Sequence, residues 1–165
     1  MAPDTFSALA ARLGARLKKQ RLKLATAESC TGGWIAQVLT SISGSSAWFE
    51  RGFVTYSNEA KKELLGVSGT ILSRHGAVSE ETARAMAAGA LTRSRAQVAV
   101  AVTGVAGPTG GTKKKPVGMV CFAWSRKGTA PGSVTRRFRG GRESVRRQSV
   151  IVALRGLLER LGERK

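Results

Sequence analysis

Two short stretches carry side chains that could do covalent chemistry. "TAESCTGGW" (26–34) sets two possible nucleophiles, Ser29 and Cys30, side by side ahead of Thr31, Gly32 and Gly33. "FVTYSNEAKKELLG" (53–66) sets Tyr56 ahead of Lys61 and Lys62. A hydroxyl or thiol must be activated by a base before it attacks a carbonyl, and the chain has a single histidine, His75. A Ser–His–Asp triad would need His75 together with an acid, and the one aspartate is Asp4. Geometry rather than chain order defines a triad, so this arrangement stays open, although His75 also reads as a structural residue near a turn. A Cys30–His75 pair meets the same shortage of partners, and a cysteine at a strand end commonly serves as a small buried hydrophobe.

A lysine-activated serine is the better-supplied alternative. Ser57 can cap a helix over "NEAKKELLG", which puts Lys61 near the end of the first helical turn. The partial positive charge of a helix N-terminus disfavours an ammonium there, and burial acts in the same direction. A lysine neutralised in this way can act as a base, with the Tyr56 hydroxyl as a relay if it lies between lysine and serine. One of Lys61 and Lys62 should point inward and the other to water. The backbone N–H groups of Thr31, Gly32 and Gly33, at the start of a helix, could hold an oxyanion or a phosphate; the same residues also read as a cap and a tight turn. "TGVAGPTGG" (103–111) repeats this construction, and Thr103 would share a sheet edge with Ser29 if their strands run parallel. No His/Cys spacing resembles a zinc site.

These residues must be held by regular elements. Leu9, Leu13 and Leu17 recur at helical spacing over 5–19. "KLATAE" reads as a strand, and "TGGWIAQVLTSI" as a helix starting near Thr31. "RGFVTY" (51–56) reads as a strand, and the Ser57-capped helix runs to Gly66. Ser79 caps "EETARAMAAGALTRS". "QVAVAVTG" (97–104) is a strand buried on both faces. "VGMVCFAWS" and "SVTRRFRG" form an antiparallel pair. A final helix over 142–161 carries Val145, Val152, Leu154, Leu158 and Leu161 on one stripe. The order α, β, α, β, α, α, β, β, β, α predicts an α/β protein: a sandwich with a mixed sheet and helices on both faces.

The totals fit a single domain over 1–165 with an apolar fraction of 42%. No run of about 18 apolar residues suggests a membrane span, and the N-terminus lacks the pattern of a secretory signal. Two cysteines make no disulfide framework, so a reducing cytoplasm is the expected setting. Lys and Arg number 28 against 10 acids, a net charge of +18. Such a charge can attract nucleic acid or phosphate-bearing molecules, yet aromatic residues are only 5% and no nucleic-acid motif accompanies it.

"AESCTGGWIAQVLTSISGSSAWFERGFVTYSNEAKKELLGV", "HGAVSEETA", "VTGVAGPTGGTKKKPVGMV" and "VRRQSV" together resemble the CinA C-terminal domain family, in its stand-alone nicotinamide-nucleotide amidohydrolase form, over about residues 5–160. The resemblance implies a three-layer α/β/α sandwich and deamidation of nicotinamide mononucleotide to nicotinate mononucleotide and ammonia in pyridine-nucleotide salvage. It implies catalysis by Ser29, Tyr56 and Lys61, with no metal and no cofactor. Ser46 in "GSSAW" is a rival nucleophile from the same block. Arg142, Ser45, Ser46 and Gly107 in "GPTGG" are candidates for the substrate phosphate. Relatives often read S-G-D-R where this chain has "RGGR" (139–142), so Arg142 is kept and Gly141 replaces the acid. The expected partners are the mononucleotide and further copies of the chain in a homo-oligomer, with no membrane. The alternative is a non-catalytic basic module that binds nucleic acid or a partner linked to competence and DNA damage.

Overall fold

The structure, a computed structural model, describes residues 5–163; Asp4 lies outside the described residues. The elements run α1 (Phe6–Lys19), β1 (Leu24–Glu28), α2 (Trp34–Thr40), a 3-10 turn (Ser45–Ala47), β2 (Phe49–Val54), α3 (Asn58–Leu65), α4 (Gly69–His75), α5 (Glu80–Thr92), β3 (Val98–Gly104), β4 (Met119–Arg126), β5 (Gly132–Arg137) and α6 (Arg142–Arg160). The five strands lie in the order β2-β1-β3-β4-β5. β1 is parallel to both neighbours, while β4 and β5 are antiparallel. Among the described residues no helix is long and apolar enough to cross a membrane.

Side-chain size sorts the two faces of this sheet. Leu24, Val98, Val100, Val102, Val120, Phe122 and Trp124 pack on one face against α1, α2 and α6. Ala25, Ala27, Ala99, Ala101, Cys121 and Ala123 point to the other face, against α3, α4 and α5. The period-two alternation of a strand places large and small residues on opposite sides, and the small face lets the alanine-rich α5 settle close to the sheet.

The expected architecture holds, with local differences. α4 was absent from the expected order: Ser68 caps it by accepting from the Ile71 N–H, but Leu72 is its one fully buried residue, so apolar periodicity had little to show. α2 begins at Trp34 rather than Thr31, because Gly32 and Gly33 take φ of 62° and 101° and form a turn. β2 ends at Val54, leaving Thr55 and Tyr56 beyond it. On α6, Val152 is only half-buried, and Val150, Ala153 and Leu157 complete the buried stripe.

The chain leaves β1 through α2 on one face to reach β2, then returns through α3, α4 and α5 on the other face to reach β3. Connections that depart to opposite faces open a crevice at the carboxyl ends of the strands between them. Ser29 follows β1 and Thr103 is the second-last residue of β3, so both stand at that crevice. α3 is brought down to it by a close approach to α5: a Cβ on Gly89 would stand 1.9 Å from the Leu65 carbonyl oxygen. Gly89→Ala is therefore expected to destabilise the fold by about 1–3 kcal/mol, seen as a lower urea midpoint at unchanged slope. An unchanged midpoint would show that the two helices do not depend on this contact.

Candidate active site

A cavity of about 250 Å³ opens at the crevice, with Ser29, Lys61, Thr103, Gly107 and Arg142 in its wall. Ser29 is 8% exposed, and its N–H donates to the Val102 carbonyl at 3.0 Å, continuing the β1–β3 ladder one step past β1. Lys61 is 1% exposed, whereas Lys62 faces water. Ser57 caps α3 by accepting from the Ala60 N–H. That start to the helix directs the Lys61 side chain back across the end of β2.

The Lys61 Nζ donates to the carbonyls of Thr55 at 2.9 Å and Tyr56 at 3.1 Å, and lies 3.1 Å from Ser29 Oγ. Burial lowers the Lys61 pKa from its ordinary value. A neutral amine has two N–H groups and one lone pair. In a neutral amine with both N–H groups on the two carbonyls, the lone pair would be left for the serine hydroxyl. Cys30 also borders the cavity, but burial pushes its thiol up to about 12, so it stays a protonated thiol near neutral pH.

The remaining candidates fall in varied places. Tyr56 is 63% exposed and its hydroxyl accepts from Arg142 Nη2 at 3.2 Å. It does not stand between Lys61 and Ser29, which touch directly, so the expected relay is not formed; Tyr56 meets Lys61 through its main-chain carbonyl. Arg142 also donates to the Gly107 carbonyl at 2.8 Å, closing the cavity mouth. Thr103 Oγ1 donates to the Ala77 carbonyl at 2.8 Å, which commits its hydrogen to the loop before α5. Thr31 Oγ1 donates to Glu28 at 2.7 Å, and the Gly32 N–H donates to the Ser29 carbonyl at 3.0 Å. The Gly32 N–H is thereby consumed within the turn, which takes that one of the expected oxyanion donors out of reach. Ser45 and Ser46 lie in the 3-10 turn at the opposite end of the sheet, where the Leu24 N–H meets the Trp48 carbonyl. The length of β1, about 13 Å, separates that end from Ser29. His75 faces Glu81, with 3.9 Å between Nδ1 and Oε2, and is not part of the cavity wall.

Two residues that sequence reasoning passed over hold the turn after Ser29. Glu28 is 1% exposed and accepts from Thr31 Oγ1, the Ile35 N–H and the Ala36 N–H. Burial raises its pKa while these donors oppose the rise. Arg146, on α6, donates to the carbonyls of Cys30 and Thr31, both at 3.1 Å. It also borders a second, more open cavity of about 470 Å³ with Trp34, Arg142 and Glu143. An acid directly before a candidate nucleophile was a visible signal for Glu28; Arg146 lies in the "VRRQSV" stretch that carries part of the resemblance, but nothing in that stretch gave it a role. Among the described residues no three His, Cys, Asp or Glu side chains cluster in a way that could hold a metal ion.

The family model of the CinA C-terminal domain matches residues 6–161. The chain is 52% identical over 160 residues to the nicotinamide-nucleotide amidohydrolase PncC of Escherichia coli strain K12, covering 95% of each chain. It is 53% identical over 156 residues to the PncC of Pseudomonas putida, covering 94% of this chain and 97% of that one. Among solved structures, the competence/damage inducible protein CihA of Agrobacterium tumefaciens superposes with a TM-score of 0.93 at 46% identity over 99% of both chains.

The lowered pKa of Lys61 has a consequence for stability. The unfolded chain, in which a lysine titrates near about 10.4, binds more protons than the folded one between the two pKa values. Stability therefore rises with pH across that window, and the cost of burying Lys61 is complete below its folded-state pKa. Urea unfolding from neutral pH to about 10 should show this rise in the wild type and its loss in Lys61→Met. Equal slopes for the two proteins would refute the lowered pKa.

Proposed function

The chain belongs to the CinA C-terminal domain family, and we propose that within it Ser29 and Lys61 form the catalytic pair of a nicotinamide-nucleotide amidohydrolase. The reaction is hydrolysis of the carboxamide of nicotinamide mononucleotide to nicotinate mononucleotide and ammonia, a step of pyridine-nucleotide salvage. The observation that carries the mechanism is the 3.1 Å approach of Lys61 Nζ to Ser29 Oγ, made by a buried amine whose other neighbours are carbonyls.

Neutral Lys61 takes the Ser29 proton as Oγ attacks the carboxamide carbon. The ammonium so formed returns that proton to the leaving nitrogen as the C–N bond breaks and ammonia departs. Lys61, neutral again, takes a proton from water as it attacks the acyl-serine, and then restores the Ser29 hydroxyl as the acid is released. The Gly32 N–H is spent on the Ser29 carbonyl, so the oxyanion draws on other N–H donors. The Ser29 carbonyl is turned inward by the Gly32 N–H. In a trans peptide the N–H points opposite to the carbonyl, so the Cys30 N–H is directed out of the turn, and Cys30 borders the cavity. Ala106 and Gly107 line the facing wall and offer further N–H groups. A preorganised donor of this kind contributes about 3 kcal/mol to transition-state stabilisation. The pyridine ring takes the inner cavity. The ribose phosphate extends past Tyr56 and Arg142 toward the open cavity, where Arg142 supplies the cation for the phosphate.

Purified protein should release ammonia from nicotinamide mononucleotide with a metal chelator present. Ser29→Ala and Lys61→Met should each lower kcat by about 1000-fold or more, while Cys30→Ala stays active. Tyr56→Phe should raise KM more than it lowers kcat. In the wild type kcat/KM should rise with pH as Lys61 loses its proton, with a midpoint below that of an ordinary lysine. Full activity in Ser29→Ala would end the assignment.

A further inference from the structure

The turn from Ser29 to Gly33 is gripped from two sides. Glu28 takes its hydroxyl donor and the first amides of α2, as described above. From the other side the planar guanidinium of Arg146 spans two consecutive carbonyls, with Nε on Cys30 and Nη2 on Thr31. The arginine is itself aimed before any ligand arrives. Its guanidinium lies over the Trp34 ring, 5.5 Å from the centroid, and that ring is braced edge-on by Phe6 at 5.5 Å. The turn is shaped to admit it: a Cβ on Gly32 would stand 3.3 Å from Arg146 Nη2, at a φ of 62°. Gly32 thus leaves room for the arginine where an oxyanion role had been expected.

We infer that Arg146 is a positioning residue: by fixing the Cys30 and Thr31 carbonyls it sets the turn that presents Ser29 to the reacting carbon and the Cys30 N–H to its oxygen. Its effect falls on the geometry of the nucleophile. Arg142, whose guanidinium closes the cavity mouth, is the arginine that meets substrate. A lysine cannot replace Arg146, because one compact ammonium does not span two carbonyls in a fixed plane. Displacing a nucleophile by about 1 Å costs about 100-fold in rate.

The inference rests on the amidohydrolase reading for its substrate but not for its test, which also follows Ser29 directly. Wild type, Arg146→Lys and Arg146→Ala are compared for kcat and KM on nicotinamide mononucleotide. The rate at which a fluorophosphonate probe modifies Ser29 is followed by intact-protein mass spectrometry. Arg146→Lys should lower kcat about 100-fold with KM changed by less than about twofold, and the labelling rate should fall in parallel. Added guanidinium ion should restore part of both rates to Arg146→Ala. A raised KM with kcat and labelling unchanged would make Arg146 a substrate ligand and overturn the inference, as would a folded variant that loses neither rate. Should Arg146→Ala fail to fold, Gly32→Ala, which crowds the arginine's seat, must show the same split. Labelling of wild-type Ser29 without ammonia release would overturn the amidohydrolase reading alone and leave the labelling comparison to decide on Arg146.

Discussion

The site depends on a primary amine taken almost completely out of water. Burial makes the charged form of Lys61 costly, and two main-chain carbonyls plus one hydroxyl take up its hydrogen-bonding capacity. A lysine on a solvated helix would be an ammonium and no base. The same lysine, enclosed beside Ser29, is held where the proposed reaction needs a base, and His75 is not part of that cavity wall.

The rest of the fold creates that enclosure. Parallel β1 and β3 bring Ser29 and the Thr103–Gly107 segment to one sheet edge, at the place where connections leave for opposite faces. The alanine-lined face admits α5 closely, and Gly89 lets α3 rest on α5 so that Lys61 is carried to the edge. On the other face larger side chains hold α1, α2 and α6, and α6 delivers Arg142 and Arg146 to the cavity mouth and the turn after Ser29.

What was readable in the sequence was local. Ser57 and Ser79 announced their helices because a cap and its acceptor geometry are set within four residues. That one of Lys61 and Lys62 points inward followed from the helical pattern, whereas the choice of Lys61 came with the family resemblance. The antiparallel β4–β5 pair was visible from its short connection. What was not readable depends on distance or on backbone conformation. Cys30 and Arg146 are 116 residues apart, and no periodicity joins them. The glycine turn looked like the start of α2 because φ values cannot be read from residue types alone. Tyr56 stood at the right spacing for a relay, but the chain turns after Val54 and sends its ring outward. Ser45 and Ser46 sat in a resemblance-rich block, yet the polarity of β2 places that block at the far end of the sheet.

Two of the three groups that hold the Lys61 amine are peptide carbonyls. No side-chain replacement at Thr55 or Tyr56 deletes either one, so a systematic alanine scan would pass over most of what holds this amine. The chemistry here is written partly in the path of the main chain. This seat for the amine survives a change of side chain at either position so long as the path does, and it is lost through changes that move the backbone.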